Sequence, residues 1–148
     1  MFVVQQERIK ENILRALLAE YKFLQSLYGY DAKIAAAIMP DVDSVYQFKE
    51  LIGLSTVHLL NISKDDAAYV GYEFGCSWDD EQGLGVMTHQ DRVIEIGAAD
   101  TSFLTWVAER DLNPEKVNAE IEANYRLAEE RPVEVSKPAI GKPWWRFW

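Results

Sequence analysis

The stretch Gly71-Tyr72-Glu73-Phe74-Gly75-Cys76-Ser77-Trp78-Asp79-Asp80-Glu81-Gln82-Gly83-Leu84-Gly85-Val86 constrains the fold more than any other part of this chain. Val70, Tyr72, Phe74, Cys76 and Trp78 fall on one face of an extended strand, and Tyr69, Gly71, Glu73, Gly75 and Ser77 on the other. That period of two, with aromatic and β-branched residues on one side, is the pattern of a half-buried strand. Glycines on the second face permit a bulge, a bend or a close backbone neighbour. Asp79 to Gly83 carries turn chemistry, because Asp accepts local backbone hydrogen bonds and Gly supplies positive φ. Leu84 to His89 resumes as a strand, Gln90-Asp91 is a short turn, and Arg92 to Gly97 is a further strand. The spacing predicts an antiparallel meander of three strands. Loops this short leave no room for the crossover helices of a parallel sheet.

Helical signals flank the meander. Ile9, Ile13, Leu17, Tyr21, Leu24 and Tyr28 recur at spacings of four and three, predicting an amphipathic helix over about Gln6 to Tyr28 with Gly29 as its stop. Asp31 can cap a short helix through Met39, which Pro40 ends. Ser44-Val45-Tyr46-Gln47 is a capping box opening another short helix that closes at Gly53. Leu54 to Ile62 reads as a strand and Ser63 to Asp66 as a turn. After Gly97, Asp100 or Thr101 can cap a helix containing Phe103, Leu104, Trp106 and Val107. Asn113-Pro114 is an N-cap and first-turn pair for a helix running toward Arg131. Helices, then strands, then helices indicate an α+β fold, an antiparallel meander covered on one face by N-terminal and C-terminal helices. The expected organisation is one domain over 1–131 and a Pro- and Trp-rich tail over 132–148.

Charge narrows the function classes. The chain of 148 residues has a net charge of −9, which disfavours a broad basic face for nucleic-acid phosphates and favours a basic protein partner. Lys137, Lys142 and Arg146 against Glu134 give residues 132–148 a net +2, leaving −11 on the rest. No run of about 18 uncharged apolar residues predicts a membrane span. The N-terminus lacks the basic and apolar pattern of a secretory signal. A single cysteine excludes an internal disulfide and fits a reducing cytoplasm.

Candidate chemistry is sparse. Asp79, Asp80 and Glu81 offer oxygen ligands, but adjacent acids do not reproduce the alternating ligands of an EF-hand loop, and a solvated hairpin turn is the better reading. Cys76 lies on the apolar strand face and reads as a structural thiol. His58, Cys76 and His89 show no zinc-ligand spacing. No nucleophile elbow, phosphate loop or dinucleotide fingerprint occurs, so no cofactor, metal site or catalytic residue is assigned. Trp144, Trp145 and Trp148, beside Pro143 and Arg146, are either binding anchors or a segment that folds back on the domain.

These residues carry a resemblance. Leu51 to His58, Tyr69 to Val86 and Gly97-Ala98-Ala99-Asp100-Thr101 resemble a bacterial domain family of unknown function with a G-C-x-W-D-x-E-H-G-x-G motif and a following G-G-A-D turn. Gln82 stands where that family often has His, and Ala98 where it often has Gly. Gln retains hydrogen bonding but not acid–base capacity near neutral pH, which favours a structural role for the motif. The resemblance brings no activity with it, only a likeness in style to immunity proteins of toxin systems.

The sequence therefore points to a non-enzymatic protein-binding module, an immunity-like one being a concrete form, with Asp79, Asp80, Glu81, Trp144, Trp145 and Trp148 as contacts. One alternative is a small hydrolase or metal-dependent enzyme using Glu73, Cys76, Asp79, Glu81 and His89. Another is an oligomeric accessory protein whose tail enters a neighbouring subunit.

Overall fold

The computed structural model describes residues 2–130, and the side chains of residues 5–126. The chain falls into two compact units, Met1–Ala108 and Glu109–Trp148. The first contains an antiparallel sheet of four strands in sequence order, β1 (Ile52–Lys64), β2 (Ala67–Cys76), β3 (Asp79–His89) and β4 (Arg92–Gly97). The meander thus has one strand more than expected, because β1 pairs with β2 through Asp65 and Asp66. Both turn residues have positive φ (53° and 62°), as a two-residue hairpin requires of its central positions.

Helix α1 (Phe2–Tyr28) buries Ile13, Leu17 and Tyr21, one residue per turn, against one face of the sheet. Gly29 ends it with φ +60° and an N–H donated to the Gln25 carbonyl at 3.0 Å. Helix α2 (Ala32–Ile38) starts at Asp31, whose carboxylate accepts from the Ile34 N–H at 2.9 Å. Ser44 and Gln47 form the expected capping box, but the helix that it opens is 3-10, Val45–Glu50, and it ends before Gly53. It delivers Phe48 to a core of Leu17, Tyr21, Met39, Cys76, Trp78 and Leu84. The Asn12 amide donates to the Asp91 carbonyl at 2.7 Å and ties α1 to the β3–β4 turn.

The second face of the sheet, expected to be wet, is covered as well. Tyr69 and Met87 are fully buried there, in a core with Leu60, Val107 and Ala108. A short 3-10 turn, Ala99–Ser102, replaces the expected helix start at Asp100 or Thr101; α3 (Thr105–Leu112) follows it. Gly71 and Gly85 make this possible. A Cβ on Gly71 would lie 1.5 Å from the Ser102 carbonyl oxygen, and one on Gly85 2.3 Å from that of Ala98. Gly71 and Gly85 are the floor on which this turn rests, whereas Gly75 is exposed with open space beside it.

In the second unit, α4 (Pro114–Glu130) begins as expected, with the Asn113 side chain accepting from the Lys116 N–H at 3.4 Å. Residues 132–148 lie outside the described residues. Among the described residues, no helix is long and apolar enough to cross a membrane.

Candidate functional site

The acidic segment is not the hairpin turn. Cys76 pairs directly with Asp79, so Ser77 and Trp78 make the β2–β3 turn and the acids open β3. Phe74 then pairs with Leu84, and residues 80–83 bulge out opposite Gly75 alone. Gly83 returns the chain to the ladder at φ +65°. Trp78 does not continue the strand face. It is buried from the turn, edge-on to Tyr21 with ring centroids 5.6 Å apart.

Asp79 holds the bulge. Its Oδ1 accepts from the Gln82 N–H at 2.9 Å and its Oδ2 from the Tyr28 hydroxyl at 2.7 Å. Tyr28 stacks on Tyr30, whose hydroxyl donates to the Trp78 carbonyl at 2.6 Å. Burial, then the hydrogen bond to Asp79, pushes the Tyr28 phenol above its ordinary range. Asp80 and Glu81 are exposed at the tip, on a backbone fixed from both sides. Among the binding residues expected from sequence, Asp79 thus anchors the segment that presents Asp80 and Glu81. Trp144, Trp145 and Trp148 lie outside the described residues.

The reactive side chains do not converge. Cys76 is buried, with its thiol 3.5 Å from the Asp79 carbonyl, and burial pushes it up to about 12, suppressing the nucleophilic thiolate near neutral pH. The His89 Nε2–H donates to the Lys64 carbonyl at 2.8 Å, and its ring lies 4.7 Å from Tyr69. The carbonyl can only accept, which assigns the tautomer. Glu73 is beside neither group. Its carboxylate lies 3.7 Å from Nε2 of His58, whose ring meets Phe103 edge-on. Among the described residues, no group of three or more His, Cys, Asp or Glu side chains could hold a metal ion.

Sequence reasoning missed one further feature. β1 is an edge strand of 13 residues, and Leu54, Val57 and Leu59 are 57%, 48% and 78% exposed on it. They pair with Phe74, Tyr72 and Val70, so all three share the sheet face on which α1 packs. A bulge between Leu54 and Thr56 hides this alternation, since 54, 57 and 59 have neither strand nor helix spacing. The legible signal was a strand without a single acid in an acidic chain.

A family model described as a domain of unknown function, DUF6985, matches residues 1–104. No curated protein and no solved structure matches the chain.

Proposed function

Given that the chain belongs to the DUF6985 family, a family described by no activity, we propose from its geometry that it is a non-enzymatic protein-binding module whose acidic surface meets a basic partner. The bulge that presents Asp80 and Glu81 carries this reading. Tyr28 and the Gln82 N–H hold Asp79 in place, so two carboxylates are displayed without the entropy cost of ordering a mobile loop on binding. A net charge of −9 adds long-range attraction for a basic surface. Neutralisation of a basic toxin, in the manner of an immunity protein, is one concrete form, with steered association as its kinetic signature. The Trp-rich tail would add aromatic anchors. The hydrolase alternative loses support from the separate placements of Glu73, Cys76 and His89.

Affinity capture from native lysate, followed by titration of the identified partner with purified protein, tests this. Asp80→Lys with Glu81→Lys should weaken binding about tenfold or more and flatten its salt dependence. A partner held equally well by the double variant would refute the acidic contact.

A further inference from the structure

The β2–β3 turn is fixed at several points that stop short of the acidic bulge. Trp78 is buried in the core, edge-on to Tyr21. Ser77 donates its N–H to the Leu51 carbonyl at 2.8 Å and its hydroxyl to the Ile38 carbonyl at 2.6 Å. The Tyr30 hydroxyl donates to the Trp78 carbonyl at 2.6 Å. All of these hold residues 77 and 78. Beyond them the ladder with β2 passes from Asp79 directly to Leu84, so the segment carrying Asp80 and Glu81 depends on something other than strand pairing. Asp79 supplies it. Its Oδ1 accepts from the Gln82 N–H at 2.9 Å and its Oδ2 from the Tyr28 hydroxyl at 2.7 Å, so both oxygens are engaged from within the molecule. Asp79 is half-buried, whereas Asp80 and Glu81 are exposed.

Resting on the reading that Asp80 and Glu81 meet a basic partner, we propose that Tyr28 is the positioning residue of that contact. It touches no partner itself. Its hydroxyl orients the Asp79 carboxylate, the carboxylate holds the Gln82 amide, and the residues between them present Asp80 and Glu81 in one arrangement. A segment that samples several arrangements binds more weakly, in proportion to the fraction in the competent one. Tyr28 therefore sets affinity without contributing charge. Asp79, expected from the sequence as a contact, acts from behind the contact surface. The ring of Tyr28 has its own support, stacked on Tyr30 with centroids 5.7 Å apart and planes 14° apart. Removing the hydroxyl alone leaves that stack, the Ser77 bonds and the buried Trp78 in place, and frees only the bulge.

Tyr28→Phe in the full chain tests this. In the free protein the Gln82 amide should exchange with deuterium about fivefold or more faster, while core amides such as that of Val86 keep their wild-type protection. Titration with a deca-arginine peptide at low salt reads the consequence. Tyr28→Phe should bind about threefold or more weakly, with the salt dependence of wild type because no charge has changed. Asp80→Lys with Glu81→Lys flattens that dependence instead. Asp79→Ala should also speed exchange at Gln82, and adding Tyr28→Phe to it should change nothing further, because the hydroxyl acts through Asp79. Wild-type protein that does not bind the peptide refutes the acidic contact, and with it a role for Tyr28 there. If wild type binds, equal affinity or equal Gln82 protection in Tyr28→Phe overturns the role of Tyr28 and leaves the acidic contact standing. A loss of protection spread over the whole sheet overturns it too, since the hydroxyl would then support the fold rather than the bulge.

Discussion

Gly71 has no room for a side chain. Its added Cβ would sit 1.5 Å from the Ser102 carbonyl oxygen, a backbone atom that cannot swing aside as a flexible side chain does. Gly71→Ala should therefore destabilise the fold by at least about 3 kcal/mol, the upper end for overpacked sites. Urea unfolding would show this as a lower midpoint at constant slope. The same reasoning explains most of the Gly75–Gly85 motif. Trp78 fills the core, Asp79 ties the bulge to α1, Gly83 takes a left-handed φ, and Gly85 lies against the Ala98 carbonyl. The motif residues were legible as special from residue type alone. Their roles were not, because each depends on a neighbour remote in sequence, as Tyr28 is from Asp79.

At the scale of elements, local chemistry was the readable part. Asp31 and Ser44 cap the helices assigned to them, and Tyr28 ends α1 at the expected glycine. Ser44→Ala should cost about 1 kcal/mol, typical of a lost N-cap, although the helix is only 6 residues long. Its cap orients Phe48 onto Tyr21, with ring centroids 5.2 Å apart, so the loss should appear in global thermal unfolding. The strand faces were read correctly in phase as far as Cys76, before the turn at Ser77 and Trp78, but not in environment. Periodicity distinguishes two sides, yet only tertiary structure shows that the 3-10 turn and α3 cover the second one. Register was harder still. Three bulged pairings interrupt the alternation of β1, β3 and β4, and bulges are set by the partner strand as much as by the bulged one.

The whole molecule holds several ionisable groups neutral in its interior. Burial pushes the Cys76 thiol up to about 12 and the Tyr21 phenol up to about 12, and Tyr28 lies above its ordinary range. The unfolded chain releases these protons nearer pH 9.0 for the thiol and 10.0 for the phenols. Between those values and about 12 the folded state binds more protons than the unfolded one, so stability must fall as pH rises through that window. Melting temperatures measured from pH 8 to 11 should be level at first and then decline, and Cys76→Ala should delay the decline. A flat profile would refute the assignment.

The order of manufacture has its own consequence. Asn12 and Asp91 are 79 positions apart, and α1 needs the finished meander to cover Leu17 and Tyr21. A ribosome adding roughly 5–20 residues per second leaves that apolar stripe without its sheet for about 4 to 16 seconds. Helix α1 is therefore made well before the sheet that covers it, and the nascent chain meanwhile displays an apolar helical stripe with only Met39 and Phe48 to shield it.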